Sequence, residues 1–206
     1  MNFMIDTTLR NPAHFEALFA VNDDPWDFRT RWYEARKRSL TLASLPRRRY
    51  ASGFEPGCAN GELSAALAER CDHLLVSDGA AGAVDAARRR LRTALHVEVT
   101  QAWVPQQWPE RTFDLIVLSE FAYYLDVDAF DALVARVLAS LRPGGTVLAC
   151  HWRRRIAGCL IDGDGVHAML RERLQMANLV RLVDADFNLD VWCADPASVA
   201  EDEGLA

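Results

Sequence analysis

A glycine turn between two acidic residues is the part of this chain best suited to bind a ligand. Residues 54–63 read Phe-Glu-Pro-Gly-Cys-Ala-Asn-Gly-Glu-Leu, and the apolar run at 74–77 ends on Asp78. A strand that ends in an acid, a glycine turn, a helix and a second strand with a terminal acid form the layout of a nucleotide-type site in an open α/β sheet. The turn would let the backbone approach the ligand, and Asp78 would accept hydrogen bonds from ribose hydroxyls.

The same turn does not favour a ligand with phosphates. A dinucleotide site requires Gly-x-Gly-x-x-Gly, whereas the spacing here is Gly57-x-Ala59-x-Gly61, with Glu62 where a helix would begin. A carboxylate at that place repels phosphate, and the Gly-Lys-Ser/Thr of ATPase loops does not occur in the sequence. A cationic ligand without phosphate suits the turn better. S-adenosylmethionine, with its sulfonium and ammonium groups, is the cofactor we expect.

Strands and helices alternate beyond the turn. Further strands are predicted at 96–99, 113–120, 146–150, 179–183 and 189–192, with helices at 85–91, 128–141 and 166–174, the second of them capped by Asp128. This alternation predicts an α/β fold: a Rossmann-like, doubly wound, mostly parallel seven-stranded sheet. We expect one domain over 1–193, made of an N-terminal helical cover (1–50) and the core (51–193), and a frayed acidic tail at 194–206.

Composition excludes several other classes of protein. The chain has 206 residues, 50% of them hydrophobic, and a net charge of −6, which argues against nucleic acid as a partner. Its five cysteines have no Cys-x-x-Cys spacing, as is typical of free thiols in the cytoplasm. The sequence shows neither a signal peptide nor a membrane span. The acids of 162–165 lack the further ligands of a calcium loop, so we expect no metal.

The carboxyl ends of the predicted strands indicate the site residues, because the ligand of such a sheet lies over these ends. They are Glu55, Gly57, Cys58, Ala59, Gly61, Asp78, Gly79, Trp103, Val104, Ser119, Glu120, Tyr124 and His151. For Trp103, stacking on a ligand and simple core packing are equally open interpretations.

The turn resembles the first motif of the class I S-adenosylmethionine-dependent methyltransferases, Glu/Asp-x-Gly-x-Gly-x-Gly, with Ala59 at the middle glycine. Over residues 14–192 the chain is similar to the nodulation protein S group, in particular through the segments 22–26, 32–37, 113–117 and 123–125. Segments 151–153 and 163–167 also resemble methyltransferases that occur beside or fused to PIG-L-type deacetylases.

The resemblance implies a function. Nodulation protein S methylates an amine on a deacetylated glucosamine residue, so a small-molecule or saccharide amine is the implied substrate. A deacetylase or a glycosyltransferase of the same pathway is the implied partner. Matching the family's N-terminal helix onto this chain implies that Arg36 binds the cofactor's carboxylate and that Trp26 closes over the cofactor. An O-methyltransferase acting on a hydroxylated metabolite, and a non-catalytic binding module, remain open.

Methyl transfer to an amine requires a neutral nitrogen, hence a base or a desolvated pocket. The candidates are Glu120, Tyr124, His151 and, in the crossover after the fifth strand, His167. A structural hydrogen bond is the competing interpretation for each of them.

Overall fold

The computed structural model describes residues 12–195 and 197–205. Its strands are β1 Tyr50–Pro56, β2 Cys71–Asp78, β3 Val97–Gln101, β4 Phe113–Ser119, β5 Leu141–Trp152, β6 Ala177–Val183 and β7 Phe187–Cys193. Its helices are α1 Pro12–Val21, α2 Trp32–Ala43, α3 Glu62–Ala68, α4 Ala81–Leu91, α5 Val127–Ser140, α6 Gly163–Leu174 and α7 Val199–Asp202.

The strands form one sheet in the order β3-β2-β1-β4-β5-β7-β6. β1 pairs in parallel with β2 and β4, whereas β7 is antiparallel to both β5 and β6. The mostly parallel seven-stranded sheet expected from the sequence is therefore confirmed. The chain winds outward from β1 to β3 and then crosses to β4 on the other side. A ligand site is expected at this reversal, between β1 and β4.

Alternate residues of the central strands supply two cores on opposite faces of the sheet, since successive strand side chains point in opposite directions. Ile116 and Leu118 pack with Phe130 of α5 and Leu170 of α6. Leu115 and Val117 pack on the other face, in a cluster that includes Leu67 of α3 and Leu91 of α4. Because both faces are covered, the middle of β4, residues 115–118, is an uninterrupted apolar run.

Two helix starts differ from the sequence prediction because of local capping. Asp126, and not Asp128, caps α5, since its carboxylate accepts from the backbone N–H of Ala129 at 2.9 Å. Asp162 accepts from the Gly165 N–H at 2.9 Å, so α6 begins at Gly163. Both acids have extended backbones, as N-cap residues do.

The start of α4 depends on a residue distant in sequence. Ala80, at its N-cap, has no side-chain cap, and the Glu16 carboxylate of α1 accepts instead from the Ala81 N–H at 3.1 Å. The sequence prediction, which begins this helix at 85, lacked a local signal for the preceding turn. In the same region α1 packs closely on α4, because a Cβ at Gly82 would lie 2.9 Å from the Phe19 carbonyl oxygen.

The tail expected to fray contains a short helix in its described part. Ser198 accepts from the Glu201 N–H at 3.2 Å, and the Glu201 carboxylate accepts from the Ser198 N–H at 2.6 Å. This capping box gives α7 its N-terminus. One acid of this negatively charged segment, Glu201, therefore takes part in capping the helix.

Candidate active site

The glycine turn after β1 has a backbone that places three residues at positive φ. Gly57 has φ 72°, Ala59 φ 48° and Gly61 φ 80°. The Ala59 value lies in the left-handed region, which disfavours a side chain. Its N–H donates to the Asp78 carboxylate at 2.9 Å, and its methyl group packs beside Phe19 and Trp26. These contacts stabilise the positive φ of Ala59 at the position where the family motif has glycine.

Gly61 serves packing and does not line the cavity described next. A Cβ at this position would lie 3.2 Å from the Ala87 Cα atom of α4. The last glycine of the motif therefore brings α3 against α4.

A cavity of about 1270 Å³ lies over the β1–β4 reversal. This exceeds the roughly 300–1,000 Å³ of a usual ligand pocket, and it leaves room for two ligands side by side. Twelve of the residues predicted for the site line it: Trp26, Glu55, Gly57, Cys58, Ala59, Asp78, Gly79, Trp103, Val104, Ser119, Glu120 and Tyr124.

Acidic side chains set the electrostatic character of the cavity. Seven carboxylates line it against three basic side chains: Glu34, Glu55, Glu62, Asp78, Glu120, Asp126 and Asp186 against Arg31, Lys37 and Arg38. A cationic ligand fits such a lining, whereas a phosphate would meet repulsion.

Two of these acids lie at the glycine turn. Burial raises the pKa of Glu55 to about 8, and the neighbouring Asp78 charge adds to this effect. Burial also raises the pKa of Asp78. The Asp78 oxygens accept from the Ala59 and Ala80 N–H groups at 2.9 and 3.0 Å, and the Gly79 N–H also donates to this carboxylate, which retains acceptor capacity for a ligand. Glu55 Oε2 is buried and has no partner among the described residues. These acceptor groups match S-adenosylmethionine, which brings two positive groups and two ribose hydroxyls.

Aromatic side chains close the cavity from several elements. Phe15 of α1 makes an edge-to-face contact with Tyr124, at a centroid distance of 5.1 Å, and lies 6.5 Å from Trp103. Trp26 contacts Phe19 and Phe28 at 5.7 and 5.5 Å. These rings give the cavity an apolar border.

Trp103 combines the two roles that the sequence left open. A Cβ at Gly79 would lie 2.1 Å from the Trp103 ring, so the indole rests directly on the Gly79 backbone. The ring also lines the cavity. Packing on Gly79 thus fixes the plane of an aromatic wall.

Asp24, in the 22–26 segment, connects the N-terminal cover with the glycine turn. Asp24 accepts from the Phe28 and Arg29 N–H groups at 2.8 and 3.1 Å. It also accepts from the Asn60 side-chain amide at 2.8 Å. This one carboxylate therefore orders the turn that carries Trp26 and attaches it to the cofactor side of the cavity.

Glu120 lies at the end of β4 with φ 60°. Its Oε1 accepts from Lys37 Nζ at 2.6 Å, and its Oε2 accepts from the Tyr123 hydroxyl at 2.7 Å and from the Trp152 N–H at 2.9 Å. A left-handed backbone at a side chain other than glycine is costly. Here it is held by groups from three elements around the carboxylate.

Arg36 does not reach the cavity. Its guanidinium donates to Asp184 at 2.7 Å and lies 5.8 Å from the centre of the Phe187 ring. The structure therefore places Arg36 outside the cavity, away from the position in which the resemblance implied contact with the cofactor's carboxylate. Arg38, two residues further along α2, lines the cavity, and its Nη1 donates to the Phe28 carbonyl at 2.8 Å.

His151 and His167 are buried beneath the cavity and do not line it. His151 Nε2 accepts from the Ala122 N–H at 3.4 Å, and its Nδ1 lies 3.2 Å from His167 Nε2. His167 Nδ1 lies 2.6 Å from the Asp190 carboxylate, to which Arg171 also donates. Burial and the neighbouring His167 lower the pKa of His151 well below its ordinary value. A histidine enclosed in this way supports the Ala122–Tyr124 turn and does not face the cavity in which a base would act.

The sequence reasoning missed Lys37 and Glu34, which line the cavity beside Glu120. One signal was present: Lys37 is the only lysine in a chain that has 23 lysine and arginine residues together. Within residues 12–195 and 197–205, no group of three or more His, Cys, Asp or Glu side chains is arranged to hold a metal ion. No helix in this described part of the chain is long and apolar enough to cross a membrane.

Solved structures share this architecture. The crystal structure of nodulation protein S from Bradyrhizobium japonicum WM9, bound to S-adenosylhomocysteine, superposes with a TM-score of 0.79 at 26% identity over 91% of this chain and 98% of that one. A Pseudomonas syringae protein assigned to the methyltransferases is 53% identical, with a TM-score of 0.72 over 79% of this chain and 99% of that one. The fold and the site together are those of a class I methyltransferase whose cofactor is S-adenosylmethionine.

The family is shown by sequence. The chain belongs to the nodulation protein S family, whose model matches residues 15–192. It is 32% identical to nodulation protein S of Sinorhizobium fredii over 74% of this chain and 73% of that protein. It is 36% identical to that of Rhizobium tropici, where the match covers 60% of this chain and spans about half, 52%, of the relative.

Proposed function

We propose that the protein transfers a methyl group from S-adenosylmethionine to the amine of a small molecule or of a deacetylated amino sugar. The observation that carries the proposal is the Glu120 carboxylate, which contacts Lys37 at the β4 end of a cavity lined mostly by acidic side chains. The Bradyrhizobium relative described above is an N-methyltransferase. An amine substrate is a cation before reaction, and a cavity lined by seven acids attracts it.

The residues divide the work between the two ends of the cavity. S-adenosylmethionine, when bound, supplies an electrophilic methyl group on a positive sulfur. Asp78 would hold the ribose hydroxyls, the backbone of Gly57 and Ala59 would lie against the ligand, and Glu55 would face a positive group. Phe15, Trp26 and Tyr124 would exclude water, so that the amine is the nucleophile present in the closed site.

Glu120 would orient the amine. The nitrogen must lose a proton before it attacks, because only the neutral form has a free electron pair. A carboxylate at hydrogen-bonding distance from the nitrogen accepts this proton and aligns the free electron pair of the nitrogen. The neutral nitrogen would then accept the methyl group that the cofactor supplies, and its proton would pass through Glu120 to solvent.

The amine would be exposed by a preceding reaction. An N-acetylated sugar has no basic nitrogen, so a deacetylase must act before this enzyme, with a glycosyltransferase as another member of the same pathway. We place the reaction in the cytoplasm, in keeping with the cysteine usage of the chain.

The direct test compares glucosamine with N-acetylglucosamine as acceptors, using methyl-labelled S-adenosylmethionine and mass spectrometry. Methylated glucosamine and unmodified N-acetylglucosamine are expected. Equal methylation of both sugars would identify a hydroxyl as the acceptor, and the amine proposal would then be wrong.

Glu120→Gln tests the role of the carboxylate. Turnover should fall by about 10²–10⁴-fold, the usual range for a positioned base, while S-adenosylhomocysteine affinity stays near the wild-type value. The loss should shrink at high pH, where more of the amine is already neutral. A loss that stays constant from neutral to alkaline pH would leave Glu120 with a structural role alone.

A further inference from the structure

The ion-pair cluster around Lys37 lies where the proposed amine would bind. Lys37 is on α2, yet its Nζ lies 2.6 Å from Glu120 Oε1 and 3.0 Å from Glu34 Oε2. Its side chain is only 7% exposed, and its ammonium lies 5.0 Å from the centre of the Tyr33 ring. A buried cation in contact with two carboxylates and a ring costs desolvation that a surface ion pair avoids. All three of these partners line the cavity.

We propose that Lys37 is a positioning residue: its ammonium orients the Glu120 carboxylate and offsets the charge of Glu34 beside it, so that Glu120 receives the ammonium group of the substrate. This inference rests on the proposed function and adds to it the group that prepares Glu120. No step in it requires Lys37 to touch the substrate.

Hydrogen-bond capacity supports the assignment. Glu120 Oε2 accepts from the Tyr123 hydroxyl and from the Trp152 N–H, which uses both of its lone pairs. Among the residues that the structure describes, Oε1 accepts from Lys37 alone, so one lone pair of Oε1 remains. Since Glu120 lines the cavity with its side chain 19% exposed, this lone pair is the one available to a substrate N–H.

Charge explains why a cation is required at position 37. Burial by itself lowers the pKa of Lys37, but the Glu120 and Glu34 carboxylates outweigh burial and raise the pKa above its ordinary value. Burial also raises the pKa of Glu34. With Lys37 charged, the three groups carry a net charge of −1. Without Lys37, the Glu34 and Glu120 carboxylates, which both contact its nitrogen atom, would face each other directly. One proton would then be shared between them.

Other titratable groups around Glu120 do not replace this cation. Those that interact with it come from α2, from the Ala122–Tyr124 turn and from β5: Tyr33, Glu34, Lys37, Tyr123, Tyr124 and Cys150. Burial raises the pKa of each of the three tyrosines and of Cys150, so these groups stay neutral. Lys37 is the only positive charge in this set.

The experiment measures binding of cyclohexylammonium to protein saturated with S-adenosylhomocysteine, with cyclohexanol as the uncharged control. The amine of this probe stays protonated below about pH 10, as that of lysine does. Calorimetry measures the affinity of each variant for cyclohexylammonium at about pH 9 and about pH 6. The ratio compared is the affinity at about pH 9 divided by the affinity at about pH 6. Glu55 titrates in every variant, so each ratio is compared with that of the wild-type protein.

Lys37→Met should make this ratio at least about tenfold larger than in wild type, because the facing carboxylates take up a proton near neutral pH. Lys37→Arg keeps the charge and should restore the wild-type ratio. Arg173→Met is the matched control, since it removes a paired cation of α6 that does not line the cavity. It should leave the ratio unchanged.

Each other outcome contradicts the proposal. A folded Lys37→Met protein with the wild-type ratio would reduce Lys37 to a structural ion pair. Wild-type protein that binds cyclohexylammonium no better than cyclohexanol would overturn the amine function, and this inference with it.

The single lysine provides a second measurement in case Lys37→Met does not fold. Protein labelled with ¹³C at lysine Cε has one lysine resonance. Cyclohexylammonium should shift this resonance in wild-type protein, whereas cyclohexanol should not, and Glu120→Gln should abolish the shift. An unmoved resonance with the probe bound would also overturn the proposal.

Discussion

Asp78 shows how one carboxylate serves both the fold and the ligand. It holds the positive-φ Ala59 through a 2.9 Å hydrogen bond and retains acceptor capacity toward the cavity. Because its backbone donors approach from the turn and from α4, the carboxylate is fixed before any ligand arrives. Preorganisation of this kind lowers the entropic cost of binding.

Asp78→Ala should weaken S-adenosylhomocysteine binding at least about tenfold, since a hydrogen bond to a charged acceptor contributes about 1.5–3 kcal/mol. Asp85→Ala, an exposed acid on α4, is the control and should have no such effect. Titration calorimetry measures both. An unchanged dissociation constant in a folded Asp78→Ala protein would exclude Asp78 from the binding site.

Arg38 is the arginine that we expect to hold the carboxylate of the cofactor. It lines the cavity, whereas Arg36 pairs with Asp184 outside it. Arg38→Ala should therefore weaken S-adenosylhomocysteine binding at least about tenfold, with little effect on 5′-methylthioadenosine, which has no carboxylate. Arg36→Ala is the matched control and should leave both affinities near wild type. Equal losses for the two ligands would show that Arg38 acts on the fold and not on the carboxylate.

At the scale of elements, the cover and the sheet are joined by a few directed contacts. Asp24 links the Trp26 turn to Asn60, Glu16 caps α4, and Lys37 links α2 to the end of β4. Each contact connects a cover residue with a strand end or a helix start that borders the cavity. The geometry of the site thus depends on how α1 and α2 dock.

Asp24→Ala should destabilise the protein by about 1 kcal/mol, as the loss of a cap does, and should also weaken S-adenosylhomocysteine binding. Asp162→Ala removes a comparable cap at α6, outside the cavity. It should lower stability to a similar extent and leave binding unchanged. Thermal unfolding and calorimetry separate the two effects. If both variants bind like wild type, the tie between the cover and the glycine turn has no part in ligand binding.

At the scale of the whole molecule, the buried acid Glu55 couples folding to pH. Burial raises its pKa from 4.5 to about 8. A raised carboxyl pKa means that the folded state favours the protonated form. The stabilisation is therefore fully present below pH 4.5 and is lost as the pH rises through about 8. Asp78, whose pKa is also raised by burial, acts in the same direction.

The free energy of unfolding should fall by a few kcal/mol between about pH 5 and about pH 9, since each pKa unit corresponds to about 1.4 kcal/mol. Glu55→Gln cannot ionise and should remove most of this slope. Urea unfolding at several pH values measures it. A slope that is the same in both proteins would show that Glu55 is not the group responsible.

The sequence by itself determined the fold class and the cofactor side of the site. The glycine turn, Asp78 and Trp103 follow strands or precede helices, and their positions in a doubly wound sheet are set by chain order. Local spacing is sufficient there because parallel strands bring their carboxyl ends to one edge. The sequence also placed Glu120 in the cavity, because this residue directly follows the most apolar strand.

Only the tertiary structure decided which side chains of α2 line the cavity and that His151 and His167 lie outside it. Successive helix residues point about 100° apart, so Arg36 and Arg38 lie on opposite sides of Lys37. The docking angle of α2, which no local pattern encodes, selects Arg38. The sequence predicts that His151 follows a strand as Glu120 does, but β5 continues through His151, and α6 places His167 at 3.2 Å from it. The contact between Lys37 and Glu120 joins residues 83 positions apart. Such a contact depends on how distant elements pack together, and sequence spacing carries no record of that packing.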